Sequence, residues 1–290
     1  MFPQVFEMQD IRQSKEYARY LSRIGWNVEK IDKVSVFVKK FPLIGSVLKI
    51  QRPGQNMDFQ KIGKIAQKHR VFQIIIEPIN ETQSAECKAN GFKLSKSPYL
   101  PTKTLQIDLK QRKEKIFTDF EKDCRSAIKK NNRLNIRKYE LGDLNDFRNY
   151  WKGAVGIKRY VPPLQHLIEL KKAFRKNSLF VTSEKSDSGA IFLNSGDVSY
   201  YWQAFTNKDG RKKLYQYKIV WEGILWSKKN KAKIFDFEGI YDKRFPNGSW
   251  LGFSHFKKSF GGKEISYPGC FVKTDFLGNN MSFRPPLPLC

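Results

Sequence analysis

The chain has 290 residues, enough for about two domains of ordinary size, and its 40% hydrophobic and 14% aromatic content excludes a disordered tail. Lys and Arg number 54 against 28 Asp and Glu, a formal net charge of +26 that points to a polyanionic partner: RNA, DNA, a phosphorylated substrate or an anionic membrane surface. No apolar run approaches the ~18 residues of a membrane span, the four cysteines (Cys87, Cys124, Cys270, Cys290) form no CxxC pair, and Glu7, Asp10 and Arg12 interrupt any leader. A soluble, reduced, metal-free protein of the cytoplasm is therefore expected.

In chain order, Tyr17, Tyr20, Leu21 and Ile24 recur at helical spacing and Gly25 ends the helix, which predicts residues 14–24 as helical. Strands are expected at 34–38 and 46–50, a helix at 58–69, and a buried central strand at 71–77, where Val-Phe-Gln-Ile-Ile-Ile-Glu is rich in β-branched residues. A helix at 81–90 stopped by Gly91 and a strand at 104–109 complete an α/β layer. Residues 110–138 hold eleven Lys and Arg against four Asp and Glu, with Ile116, Phe117, Phe120, Cys124 and Ile128 on one face, and read as a basic amphipathic helix.

Helices follow at 143–153 and 164–176, then strands at 178–184, 189–194 and 197–206. An Asp209-Gly210 turn, a helix through Leu214, Tyr217, Val220, Trp221, Ile224 and Leu225, and a strand at 233–237 make a βαβ unit whose strands should run parallel. The proline-rich end, 276–290, reads as a loosely held tail.

No GxSxG, HExxH or phosphate-binding loop occurs, which removes most hydrolase and nucleotide-hydrolysing readings. What stands out is Asp236-Phe237-Glu238-Gly239 at the end of an apolar strand, followed after a polar loop by Phe256-Lys257-Lys258-Ser259-Phe260-Gly261. Spacing alone allows a plain reading of the second motif: Phe256 and Phe260 as an i, i+4 core pair and Lys257 as a surface lysine. Asp236 by itself could simply bond the backbone of the following turn.

This pair of motifs resembles the C-terminal signature of the FemABX peptidyltransferases, in which Asp-Phe-x-Gly precedes Phe-Lys-x-x-Phe-Gly. Further similar pieces lie in the same order: Gln13 to Arg19 before Gly25-Trp26, Gly91-Phe92, Thr104 to Leu109, Arg125 to Lys130, and Trp226-Ser-Lys. The resemblance runs over roughly 9–272. It implies two tandem GNAT-like (acyl-CoA N-acyltransferase-like) α/β domains with mixed sheets flanked by helices. The first, 1–109, would be completed by about 263–275; the second, 110–262, would carry the lysine motif. No sustained heptads are present for the long coiled-coil arm that many members carry.

The resemblance also implies an activity, transfer of an amino acid from aminoacyl-tRNA to the stem-peptide amine of a lipid-linked or UDP-linked peptidoglycan precursor, by a monomer without cofactor that contacts the inner membrane face at most peripherally. Carried over residue by residue, Lys257 is the oxyanion donor, the Phe256 carbonyl holds the incoming amine, and Asp236 orients Lys257 or that amine. Arg19 and Arg159 align with the cations that bind the precursor phosphates, and Tyr217 and Lys258 with substrate-binding positions. Lys129, Lys130, Arg211 and Lys212 are candidates for the tRNA backbone, contacts that position without reading sequence.

Two other readings remain open at this point. An acyl-CoA-dependent GNAT enzyme would need a glycine-rich pyrophosphate loop. Asn207-Lys-Asp-Gly210-Arg-Lys-Lys213 lacks its second glycine. A non-catalytic RNA-binding or membrane-binding module that kept the fold is the other.

Overall fold

A computed structural model describes residues 9–157 and 159–274. The tail expected at 276–290, with Cys290, lies outside the described residues. The elements begin with α1 (Lys15–Arg23), β1 (Asn27–Ile31), β2 (Val34–Phe41), β3 (Gly45–Gln51), α2 (Phe59–Lys68), β4 (Val71–Glu77), α3 (Glu81–Ala89) and β5 (Lys93–Leu94). They continue with β6 (Lys103–Asp108), α4 (Lys113–Thr118), α5 (Lys122–Lys130), β7 (Ile136–Lys138), α6 (Leu144–Val155), α7 (Leu164–Phe174), β8 (Ser178–Ser183), β9 (Ser188–Ser195) and β10 (Val198–Thr206). The last are α8 (Lys208–Lys212), α9 (Tyr215–Lys229), β11 (Ile234–Asp236), α10 (Leu251–Lys258), β12 (Lys263–Ser266) and β13 (Phe271–Thr274).

These elements form two units. The first comprises residues 9–102, 243–245 and 266–274, the second 103–242 and 246–265. The first unit has a six-stranded sheet in the order β1-β2-β3-β4-β13-β5. Its helices start where side chains satisfy otherwise unpaired amides: Ser14 accepts from the Tyr17 N–H, Asp58 from Lys61 and Asn80 from Gln83. β3 and β4 run parallel, and β13 is antiparallel to both β4 and β5. One face, built on Val36, Val38, Leu48, Ile50, Ile74 and Ile76, packs with Ile62 of α2 and Cys87 of α3.

The second unit is a seven-stranded mixed sheet in the order β12-β6-β11-β10-β9-β8-β7, with β10 and β11 parallel. Strand β6 belongs here, antiparallel to β11, so the second sheet begins at Lys103 rather than after residue 109. The helix expected across 110–138 is instead α4, α5 and the short edge strand β7. The break falls at 119–121, where Arg125 donates to the carbonyls of Thr118 and Phe120 and the Glu121 N–H donates to the Ser259 carbonyl at 2.9 Å. Breaking there turns Phe120 inward, edge-on to Phe260 (5.2 Å) and Trp221 (5.5 Å). Such aromatic pairs add about 0.5–1.5 kcal/mol each beyond burial.

Asp209-Gly210 is likewise not a turn. It lies inside α8, whose N-terminal Asn207 accepts from the Gly210 N–H at 2.8 Å, and the chain bends at Leu214 in the left-handed region (φ 61°). Helix α9 then crosses the sheet so closely that a Cβ on Gly223 would lie 2.2 Å from the Phe192 ring. A glycine inside a helix costs about 1 kcal/mol against alanine, and here it permits the contact.

At the ends of β3 and β4 the first unit buries charge. The Asp10 carboxylate accepts from Arg12 Nη1 (3.1 Å) and Arg52 Nη1 (3.0 Å), and the Arg52 guanidinium stacks 3.7 Å from the Tyr267 ring centroid. Burial opposes ionisation of Asp10, but Arg12 and Arg52 outweigh it and hold the carboxyl below its ordinary 3.8. Burial moves Glu77 the other way, above 4.5, although Gln51 and the Leu100 amide bond its oxygens. Acid should therefore first relieve Glu77, as pH falls toward 4.5, and then remove Asp10's contribution as pH falls below 3.8 through its lowered value. Asp10→Asn should cost about 3 kcal/mol in urea unfolding at pH 7 and abolish the loss of stability seen at the lower of these two steps.

Candidate functional site

β10 and β11 pair only through Val198–Ile234, Ser199–Phe235 and Tyr200–Asp236. β11 then ends, while β10 runs on to Thr206 with a bulge between Tyr201 and Gln203 against β9. Two parallel strands thus part at their C-terminal ends, the place where α/β sheets take ligands. Past Asp236 the chain loops out through Glu238 (φ 56°) and Gly239 (φ 119°) and then continues along β6, the Ile240 N–H donating to the Lys103 carbonyl.

Lys257 closes this turn. It projects from α10 and is buried, with Nζ donating to the carbonyls of Phe237 (2.7 Å) and Gly239 (2.6 Å). The Phe253 and Tyr201 ring centroids lie 5.0 and 5.7 Å from the same nitrogen. It is not the surface lysine that spacing alone allowed. Burial lowers its pKa to about 8, against the opposing pull of Glu238 and Asp236 and with the help of the Arg159 charge.

Asp236 is buried beside it, and its carboxylate accepts from Thr104 Oγ1 (2.6 Å), Gln106 Nε2 (2.8 Å) and the Glu238 N–H (2.7 Å). Burial first, and Glu238 second, raise its pKa. The bond to Glu238 N–H is the turn contact that an aspartate at a strand end makes by itself; the two bonds from β6 are additional. Phe256 and Tyr217 pack edge to face at 4.8 Å, and both contact Phe260. The Phe256 carbonyl accepts from the Ser259 hydroxyl at 2.7 Å.

Arg159 is exposed in the loop after α6 and donates to the Ala204 carbonyl of β10 at 3.3 Å. Lys258 points away from its neighbour and pairs with Glu264, 2.7 Å apart. Arg19 is exposed on α1 in the first unit. Lys129 and Lys130 are exposed at the end of α5, and Arg211 and Lys212 are exposed on α8. These four share one region, because Asn131 Nδ2 donates to the Lys213 carbonyl at 3.0 Å and ties the end of α5 to the end of α8.

Sequence reasoning passed over Glu238, Tyr201 and Gln216. Glu238 stands inside the quoted Asp-Phe-Glu-Gly motif, but its left-handed backbone and its burial follow only from the turn. The Tyr201 hydroxyl accepts from Gln216 Nε2 at 2.7 Å, a contact between β10 and α9 that no local pattern marks. Thr104 and Gln106 were legible in principle, as polar residues two apart on one face of a strand whose other face carries Leu105 and Ile107.

No protein-family model and no characterised protein sequence matches the chain. Solved structures do. The class they define is the tandem GNAT fold: the structure superposes on a tandem GNAT protein from the clavulanic acid biosynthesis pathway with a TM-score of 0.53 at 7% identity, covering 93% of this chain and 97% of that one. More particularly, the fold is similar to that of FemX, whose crystal structure it matches with a TM-score of 0.75 at 15% identity over 93% of this chain and 94% of that one. The C-terminal domain of a putative lysylphosphatidylglycerol synthetase from Agrobacterium fabrum matches with a TM-score of 0.60 at 11% identity, covering 93% and 90%. The chain therefore has a FemX-like tandem GNAT fold.

Two measurements probe the site directly. The Lys257 amine should titrate near pH 8 by NMR, and because its unfolded value is 10.5 the protein should gain stability as pH rises from about 8 to 10.5, a gain that Lys257→Met removes. Gly262 has φ 99°, and a Cβ there would lie 2.5 Å from the backbone oxygen of Gln106, a partner of Asp236. Gly262→Ala should cost more than about 2 kcal/mol in thermal unfolding.

Proposed function

We propose that this protein is an aminoacyltransferase that moves an amino acid from aminoacyl-tRNA to the stem-peptide amine of a peptidoglycan precursor. The observation that supports this reading best is the buried Lys257 amine, held by two backbone carbonyls where β10 and β11 separate, within a fold shared with FemX. Two N–H bonds are committed to the turn, and the third N–H of the ammonium form would face the oxyanion.

In the proposed reaction the neutral acceptor amine attacks the ester carbonyl, a C–N bond forms, and the tetrahedral oxyanion is stabilised by Lys257. The C–O bond to the tRNA ribose then breaks, and the amine proton ends on the released hydroxyl. The Phe256 carbonyl is proposed to hold the amine with its second lone pair. Asp236, with Thr104 and Gln106, fixes the turn that positions Lys257. Tyr217 supports Phe256 by packing. Arg159 and Arg19 are proposed to bind precursor phosphate, for which the planar guanidinium is suited, and Lys258 a more peripheral part of the substrate. No metal or cofactor is invoked, and the setting is the cytoplasm, with the protein acting as a monomer.

The basic region where α5 and α8 meet is proposed to track the tRNA backbone. It rests on Lys129, Lys130, Arg211 and Lys212, whose side chains are exposed. The acyl-CoA reading ranks lower for a local reason. The Gly210 N–H that a pyrophosphate would need is bonded to Asn207, and a Cβ at Gly210 would lie 2.3 Å from Ser188 Oγ, which shows how tightly α8 packs. The lysylphosphatidylglycerol synthetase likeness keeps a second aminoacyl acceptor, a lipid headgroup, within the same chemistry.

The test incubates purified protein with charged tRNA pools and with lipid-linked or nucleotide-linked precursors, and reads the mass increment on the stem peptide. Phosphatidylglycerol vesicles and acyl-CoA serve as competing arms. Transfer to the stem peptide is expected, slowed at least about 100-fold in Lys257→Met with circular dichroism unchanged. Turnover on acyl-CoA with none from any charged tRNA would overturn the reading, full transfer activity in Lys257→Met would remove Lys257 as the oxyanion donor, and tRNA or vesicle binding with no transfer to any acceptor would point to a non-catalytic module. For tRNA, log affinity should fall linearly with log salt, and Arg211→Ala with Lys212→Ala should reduce the slope by about one each. A slope near zero removes the proposed tRNA footprint.

A further inference from the structure

The turn between β2 and β3 is not explained by the packing of its unit. Phe41 and Gly45 are the last residues in register, which leaves Pro42, Leu43 and Ile44 as the tip. Leu43 is fully exposed at 108% and Ile44 is exposed at 54%. Leu43 also has φ 66°, in the left-handed region where glycine or asparagine is favoured and a bulky aliphatic is strained. A leucine at this position carries a backbone cost and returns no packing to the fold.

The surroundings of the tip are cationic. Lys40 is exposed one residue before Phe41, and Arg70, also exposed, lies beside the turn because its carbonyl accepts from the Ser46 N–H at 3.0 Å. Between Lys33 and Ile76 the single acidic residue is Asp58. Lys39 is not part of this collar, since its amine is turned back onto the carbonyls of Ile24 and Gly25.

We propose that the β2–β3 tip is a membrane-docking element, seating Leu43 and Ile44 at the acyl boundary of an anionic bilayer with Lys40 and Arg70 among the headgroups. Two aliphatic side chains at a hairpin tip offer far less than the roughly 800 Å² per partner of a stable protein interface. They suffice for a bilayer, where a short apolar insertion and nearby cations add together. An insertion of two aliphatic side chains with nearby cations gives an attachment that is peripheral and reversible. The proposal does not rest on the transfer chemistry, and its readout needs no substrate.

The test sediments the full chain with vesicles of phosphatidylcholine alone or mixed with phosphatidylglycerol or phosphatidylserine, at low and high salt. Partition to both anionic mixtures is expected, weakening with salt, and dropping at least about tenfold in Leu43→Asn/Ile44→Ser. That variant should melt no lower than the wild type, because asparagine suits the left-handed backbone. Equal partition of variant and wild type, or no binding to either anionic mixture, would sink the idea. Binding confined to phosphatidylglycerol would indicate a headgroup pocket instead. A lipid-free dimer abolished by the double variant would assign the tip to a second copy of the chain.

Discussion

A primary amine removed from water must be held by acceptors or lose its charge, and the second unit is arranged around one such amine. Lys257 reaches the carbonyls on either side of Glu238, and those carbonyls face it because the backbone at Glu238 and Gly239 is left-handed. The turn forms where it does because β11 stops at Asp236 while β10 continues. Asp236 is fixed in turn by Thr104 and Gln106 on the neighbouring strand. Strand divergence, turn and amine are thus one construction, and the lowered pKa of the lysine is the electrostatic result of its burial.

The aromatic layer beneath this construction sets where α10 lies. Phe260 contacts Phe256 on the helix that carries Lys257 and Phe120, Tyr217 and Phe237 outside it, so that helix is anchored from three other elements or loops of the same unit. The Phe-Lys-x-x-Phe-Gly motif divides accordingly. Its two phenylalanines pack, its glycine takes the left-handed conformation (φ 67°) that ends the helix, and its lysine carries the charge inward. The first unit buries charge as well, but in a closed form: Asp10 is shared by two arginines, one of them stacked on Tyr267.

Much of the fold was legible because its signals are local. The starts of α1, α2 and α3 follow from Ser14, Asp58 and Asn80, and the buried strand at Val71–Glu77 from its β-branched run. The split of 110–138 into α4 and α5 was not legible, since a continuous apolar face fits one helix equally well and the break depends on where Phe260 waits for Phe120. Asp209-Gly210 misled for a related reason. Those residues favour turns, but Asn207 caps them into a short helix and the real bend falls on Leu214, a residue with no turn propensity.

For the site, the sequence by itself determined which residue types were present and in what order: an aspartate closing an apolar strand, and a lysine between two phenylalanines four apart. These patterns are short-range, and a sequence carries them openly. Whether Lys257 faced solvent or a turn, whether Lys258 was free or paired with Glu264, and that Gln216 would meet Tyr201 were settled only when strands from distant parts of the chain came together. Burial and its effect on protonation belong to the assembled neighbours of a group, and those neighbours lie far apart along the chain, 132 residues in the case of Thr104 and Asp236.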